Sequence, residues 1–438
     1  MFYFVGWVTL FLERSMLDAN YIKANLEQVK KNLAKKGFNL EQSKFEKLYS
    51  NRKGLITKHE SLLSEKNIIS KDIGLLKSNN KDASSLLLKV ESINKEIDKI
   101  SKSETKAEKD LHDYLLSIPN LLDDSVPEGK SEDSNKIIYE TKLQKNSLSI
   151  DHLDIINNIK LSFNHDVTSI SGSRFSLLFK DIAKLHRVLG QYMINYHVEN
   201  NNYLEVYVPL IVSEKSLIGT GQLPKFKDDL FEIKNKENSF LIPTAEVPLT
   251  NICNNQIIDL NTLPLKFVSL TPCFRSEAGS YGKDTKGLIR QHQFDKVELV
   301  QIAEPSQSND ALNNLVSDAE KILINLSLPY RKVLLCSGDT SFSSSITYDL
   351  EVWLPSQSNY REISSCSNFL SFQSRRLNIR YRNEKKKEYP HTLNGSGLAV
   401  GRALAAIIEN NINDRNEITI PEPLQGMMGS DCIKIQGK

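Results

Sequence analysis

The chain has 438 residues, 39% apolar and 25% charged, with a formal net charge of +2. That length exceeds one ordinary domain, and the composition excludes a disordered, fibrous or collagen-like protein. The charge is uneven: residues 16–118 carry 20 Lys+Arg against 15 Asp+Glu, and residues 119–438 carry 35 against 38. A polyanion would therefore be drawn first to the N-terminal part.

The chain opens with an apolar run, FYFVGWVTLFL, at Phe2–Leu12. It is shorter than the roughly 20 residues that span a bilayer, and no basic residue precedes it as in a signal peptide. A helical pattern with a polar start begins at Met16-Leu17-Asp18, so residues 1–15 read as an upstream extension and Met16 as the natural start; the other reading is a peripheral membrane anchor.

Next, Leu48, Leu55, Leu62, Ile69 and Leu76 recur every seven residues. Their partner positions Phe45, Arg52, His59, Lys66 and Ile73 are apolar only at the ends. A second series, Leu86, Val90, Ile93, Ile97, Ile100, Glu104, Ala107, Leu111 and Tyr114, keeps the spacing of a coiled-coil seam. The polar stretch Lys77–Asp82 between them is a short turn, so two long antiparallel helices are expected, projecting into solvent. Such a hairpin suits dimerisation or contact with a nucleic-acid backbone, and spacing alone does not separate the two.

Pro119, Pro127 and the acidic run Leu121–Asp133 read as a linker. Beyond it, strands are expected at Leu204–Val212, Phe240–Ile242, Lys266–Leu270, Lys296–Ile302 and Thr347–Trp353. Helices are expected at Ser176–Val198, Asp310–Leu326 and Leu398–Glu409. Closely spaced strands with flanking helices favour an α+β domain with a largely antiparallel sheet. No GxGxxG follows a first strand and no GxxxxGK[ST] occurs, so neither a Rossmann nor a P-loop site is present. The cysteines Cys253, Cys273, Cys336, Cys366 and Cys432 form neither a CxxC pair nor a Cys/His ligand spacing. They read as free thiols of a reducing compartment, without disulfides or structural zinc.

Four polar clusters carry candidate chemistry. In Phe274-Arg275-Ser276-Glu277, an Arg and a Glu two apart share a face if the strand is regular. A loop follows with Gly279, Gly282, Lys283, Lys286 and Gly287, and a returning strand brings Arg290, Phe294 and Glu298 to one face. Arginine forks, carboxylates and an aromatic suit a charged planar nucleotide, and a structural ion-pair network has the same composition. Thr244-Ala245-Glu246 lies between Pro243 and Pro248. Asp349–Trp353 and Arg361–Asn368 place Glu362 beside several hydroxyls, as a hard-cation site or simply a turn. Asn394–Arg402 opens a helix with small residues and an arginine one turn in.

The order of these clusters resembles motifs 2 and 3 of the class II aminoacyl-tRNA synthetases. Within that class, Met16–Gly429 resembles the bacterial-type seryl-tRNA synthetases, through GTGQLPKF (219–226), PTAEVPLTN (243–251), CFRSEAGSYGKDTKGLIRQHQF (273–294), TYDLEVWLP (347–355), REISSCSNF (361–369) and HTLNGSGLAVGR (391–402). The resemblance implies a tRNA-binding hairpin at 16–118 and a catalytic domain at 119–438 built on a class II antiparallel sheet. It implies serine activation by ATP and transfer to tRNA(Ser), and to tRNA(Sec) where one is present. A synthetase-like paralogue that loads a small amino acid onto a carrier protein is the alternative.

By the same resemblance Arg275, Arg290 and Arg402 act on the phosphates as the catalytic residues, Glu277 meets the adenine amino group and Phe294 stacks on the ring. Ser276, Ile363 and Ser364 complete the ATP site, and Glu362 and Ser365 hold Mg²⁺ through ATP. Thr244, Ala245, Glu246 and Glu298 bind serine, and Ser396 reads its hydroxyl. Pro209 resembles the motif 1 proline, implying a homodimer, and the resemblance implies a cytoplasmic enzyme without a membrane partner. The chain departs from the family pattern at Ile346, where lysine is usual, in the serines of Ser341–Ser345, at Asn202, where glycine is usual, and in the tail Leu424–Met428.

Overall fold

A computed structural model describes residues 18–143, 150–157, 167–278, 287–384 and 386–435. The proposed extension 1–15, Met16 and the loop residues Gly279, Gly282, Lys283 and Lys286 lie outside the described residues. The chain forms two compact units that divide between Pro119 and Asn120.

The first unit is helical: α1 (Ala19–Ala24), α2 (Leu26–Lys35), α3 (Gln42–Ser78) and α4 (Ser84–Leu116). Asp18 caps α1 by accepting the Asn20 N–H at 2.7 Å. At 37 residues, α3 is about 55 Å long. Between α3 and α4, Asn80 takes the left-handed conformation at φ 53, and Asp82 accepts the Ser84 N–H at 3.0 Å, so turn chemistry reverses the chain. Ile69, Ile73, Ala83 and Ile93 are buried between the two helices, with Leu62, Leu76, Leu86, Val90 and Ile97 packed around them. The polar seam positions have polar partners. His59 Nδ1 lies 2.7 Å from Glu104 Oε2, and Arg52 faces Glu108 and Glu104.

The second unit is built on an eight-stranded sheet. Its strands are β1 (Lys136–Glu140), β2 (Leu204–Glu205), β3 (Leu265–Phe274), β4 (Gln293–Ala303), β5 (Tyr330–Leu334), β6 (Ile346–Leu354), β7 (Asn359–Asn368) and β8 (His391–Ala399). They lie in the order β1-β5-β6-β7-β8-β4-β3-β2, antiparallel except for the outer β3–β2 pair. Three helices, α5 (Lys180–Asn201), α6 (Ser308–Asn325) and α7 (Val400–Asn411), pack on the sheet.

Period-two alternation decides what meets them. In β6, Leu350, Val352 and Leu354 join the core with Leu185, Leu189, Leu315, Leu404 and Ile408, while Thr347, Asp349 and Glu351 line a cavity on the other face. In β4, Val297 and Leu299 enter that core, while Phe294, Lys296 and Glu298 face the cavity. Farther along β4 the cavity-side series turns apolar at Val300 and Ile302, which pack with Ala245, Leu249 and Phe267.

Two sequence expectations need correction here. Leu204–Val212 is not one strand: β2 ends at Glu205, and Ile211–Ser213 pairs with Ser239–Leu241 in a separate sheet. Pro209, with no N–H to give a ladder, lies in the break. The segment Asn394–Ala399 is strand, and helix α7 starts only at Val400. Its glycines serve packing within the sheet and against α5. A Cβ on Gly395 would lie 2.6 Å from Cys366 Sγ, and one on Gly397 would lie 2.7 Å from His197 Nε2.

Candidate active site

A cavity of about 1140 Å³ opens on the sheet face opposite the helices. Arg275 and Glu277 both line it, but not by strand alternation. Strand β3 ends at Phe274, and Glu277 has φ 52. Arg290 likewise precedes β4, which begins at Gln293. Loop geometry supplies these groups, and only Phe294 and Glu298 share a strand face as expected.

The arginines converge on the same side. The Arg275 guanidinium lies 5.4 Å from the Phe294 ring centroid, and its Nε donates to the Pro243 carbonyl at 3.2 Å. Arg290 Nε lies 3.5 Å from Glu277 Oε2. Arg402, on the first turn of α7, donates through Nε to the Ile289 carbonyl at 3.0 Å and approaches Glu362 Oε1 at 3.8 Å. Glu362 faces the cavity because β7 carries a bulge at Ile363. Glu362 pairs with Glu351, and Ser364 pairs with Leu350, leaving Ile363 extra. Without it Glu362 would alternate to the core side, away from Ser365 and Ser367.

Asp349 pairs with Ser365 in the ladder and its Oδ1 is buried without a hydrogen bond. Burial and the neighbouring Glu362 push its carboxyl well above the usual range. Glu362, Ser365 and this unsatisfied oxygen form a hard-oxygen donor set that suits Mg²⁺.

A second polar nest lies deeper. Thr244 Oγ1 donates to Glu298 Oε2 at 3.0 Å and accepts from Lys296 Nζ at 2.9 Å. Lys296 also pairs with Glu298, whose other oxygen accepts from Asn394 Nδ2 at 3.0 Å. Gln373 Nε2 donates to Glu246 Oε1 at 2.6 Å, and Gln222 Nε2 to Oε2 at 3.4 Å. Burial, and then Glu298, raise the Glu246 carboxyl from 4.5 to about 7. Ser396 pairs with Glu298 across β8 and β4 and lines the same cavity.

The cavity thus gathers Arg275, Glu277, Arg290, Phe294, Glu362, Ile363, Ser365 and Arg402 with Thr244, Glu246, Glu298 and Ser396. Three expected site side chains point elsewhere. Ser276 donates to the Asp228 carbonyl, Ser364 donates to the Ser396 carbonyl at 2.6 Å, and Ala245 is buried in an apolar cluster. Sequence reasoning missed Lys296, Asn394, Gln222 and Gln373. Lys296 and Asn394 carried a usable signal, each standing two residues from an expected contact on a strand; Gln373 comes from the distant helix Phe372–Arg376 and Gln222 from the loop that follows the helix Glu214–Thr220.

Residues 16–122 match the seryl-tRNA synthetase N-terminal domain, and residues 230–411 match the tRNA synthetase class II core domain (G, H, P, S and T). The chain is 48% identical over 417 residues to a serine–tRNA ligase of Teredinibacter turnerae, covering 94% of this chain and 98% of that one. The chain belongs to the seryl-tRNA synthetase family. A serine–tRNA ligase of Francisella philomiragia is 49% identical, covering 95% of this chain and all of the relative. Among solved structures, the ATP complex of Pyrococcus horikoshii seryl-tRNA synthetase superposes with a TM-score of 0.87 at 31% identity, covering 96% of this chain and 100% of that one. The synthetase is a class II enzyme that uses ATP to ligate serine to tRNA. Among its described residues no helix is long and apolar enough to cross a membrane.

Two of the chain's departures from the family pattern have local explanations. Asn202 caps α5 in the left-handed conformation at φ 56, which asparagine tolerates better than most residues with a Cβ. Ile346 is a buried member of the core, so its side chain packs where a lysine would be costly.

Proposed function

We propose that the cavity divides its work between an ATP half and a serine half. Arg275 takes the α-phosphate, Arg402 the γ-phosphate, and Arg290 assists. Glu277 accepts from the adenine amino group while Phe294 stacks on the ring, held opposite Arg275. Glu362 and Ser365 would hold Mg²⁺, which when bound would supply neutralisation of phosphate charge. Glu246 and Glu298 face the serine ammonium, with Thr244 between them, and Ser396 reads the hydroxyl. A site that hydrogen-bonds a hydroxyl rejects alanine, because its own polar groups would be left unpaired.

The serine carboxylate attacks the α-phosphorus in line, forming the acyl–phosphate bond as pyrophosphate leaves. The arginines supply positioning and charge neutralisation, and no covalent nucleophile is needed. The 3′-terminal adenosine of tRNA(Ser) then accepts the seryl group, and tRNA(Sec) is a second acceptor where a host carries one. The enzyme works in the cytoplasm as a homodimer. Support for the dimer comes from Leu204, 63% exposed on the edge strand β2, and Tyr207, 100% exposed in the break that holds Pro209.

The observation that carries this reading is the convergence of three arginines, Glu277 and Phe294 on one cavity with the Thr244–Glu298 nest. Serine-dependent ATP–pyrophosphate exchange tests it. Arg275→Ala is expected to lower exchange by at least about a hundredfold; near-normal exchange would refute the assignment.

A further inference from the structure

Outside the cavity lies a buried titratable pair with no part in the chemistry above. His152, which opens the short helix His152–Asn157, and Glu409, on α7, are 1% and 0% exposed. His152 Nδ1 lies 2.6 Å from Glu409 Oε1, and the His152 backbone N–H donates to the same oxygen at 3.3 Å. The other Glu409 oxygen accepts the Ser356 N–H at 3.0 Å. Burial pushes the Glu409 carboxyl up, but these hydrogen bonds outweigh it and leave it below its ordinary value. Glu409 is therefore an ionised acceptor.

The far side of the ring is also occupied. Its Nε2 accepts the Leu288 N–H at 3.2 Å. An accepting Nε2 places the ring proton on Nδ1, so His152 is a neutral imidazole whose tautomer Glu409 selects. Asp151 completes a trio whose spacing a metal ion would accept, but both ring nitrogens are already bonded within the protein. The chain passes tightly over the ring: Gly287 has φ +79, and a Cβ there would lie 2.3 Å from Nε2.

Segment 287–290 is consequently tied to α7 twice. Arg402 holds the Ile289 carbonyl directly, and Glu409, seven residues along the same helix, holds the Leu288 amide through His152. Arg290 follows at once and Phe294 four residues later.

We propose that His152 is a positioning residue for the nucleotide. Oriented by Glu409, it fixes the Leu288 backbone and with it the approach of Arg290 and Phe294 to ATP. The inference rests on the assignment of Arg290 and Phe294 to ATP.

His152→Asn tests it, because the amide can still donate to Glu409 but no longer reaches Leu288. In pyrophosphate exchange the KM for ATP is expected to rise about tenfold, as for one lost hydrogen bond. The KM for serine is expected to stay unchanged. Amide hydrogen exchange in the peptide containing Leu288 should accelerate, and His152→Gln, whose carbonyl can replace Nε2, should restore both. An unchanged KM for ATP, or a parallel rise in both KM values with a falling Tm, overturns the proposal. So does a Leu288 amide that exchanges at an unprotected rate in the unmodified enzyme, a measurement that needs no variant. If Arg290→Ala and Phe294→Ala leave the KM for ATP unchanged, the nucleotide assignment itself fails, independently of the His152 result.

Discussion

Both oxygens of Glu246 accept from amides, Gln373 and Gln222, and its carboxyl sits at about 7 instead of 4.5. An acid raised this way is protonated in the folded chain at pH values where the unfolded chain has lost its proton. The folded state then holds more protons between about 4.5 and about 7, so stability of the ligand-free enzyme falls as pH rises through that window. Serine reverses the preference, since its ammonium favours the ionised carboxylate. The KM for serine should therefore improve as pH rises to 7 and level off above, by about tenfold for each unit below the pKa. In Glu246→Gln the KM should be higher and the slope below pH 7 lost. A steady-state pH profile of the two proteins decides it, and parallel profiles would remove Glu246 from ammonium binding.

Within α3 and α4, the polar interruption at His59 is an inter-helix contact with Glu104 (2.7 Å). Its position in the polar middle of a seam that is apolar at its ends fixes which turns face each other, at some cost in stability. Glu104→Ala is expected to lower stability by about 1–3 kcal/mol by stranding a half-buried imidazole. Leucine at both positions is expected to be neutral or stabilising, and a urea-denaturation double-mutant cycle gives the coupling. The two helices and their turn are legible in the heptads, because the repeat is long and local. The partnering of His59 with Glu104 is not, since it depends on how helices carrying residues 45 positions apart slide along each other. In the sheet, the middles of β3, β4 and β6 are legible as apolar runs, whereas β1, β5, β7 and β8 are not read as strands. Arg275 and Glu277 read as strand neighbours, although β3 stops at Phe274. The bulge at Ile363, which turns Glu362 into the cavity, leaves no local mark in REISSCSN. His152 carries no local signal either, because its partners, Leu288 and Glu409, lie 136 and 257 residues away.

On the scale of the whole molecule, the proposed function puts a different task on each side of the division between Pro119 and Asn120. Among the described residues, those lining the cavity all lie at or beyond Glu132, so activation should not need the hairpin. Replacing residues 45–111 with a short linker is expected to leave serine-dependent pyrophosphate exchange within a few-fold of normal and to abolish tRNA charging. Loss of exchange would show that the hairpin takes part in building the cavity. The collinear order of motifs makes the division and the substrate legible in the sequence. The Thr244–Glu298 nest is only half legible, because Gln373 enters it from a segment outside the motifs and nothing local in GTGQLPKF marks Gln222 as a partner of Glu246.

The alternation along β6 has a further consequence. Leu350 and Val352 face hydrocarbon while Thr347, Asp349 and Glu351 face the cavity, so the strand carries two interleaved messages whose meaning depends on phase. Deleting one residue ahead of Asp349 would exchange them, driving two carboxylates into the helices and paving the cavity with aliphatic side chains. No point substitution in the strand does both at once. The neighbouring strand already contains one such slip, at Ile363, and there the change of phase is what delivers Glu362 to the cavity.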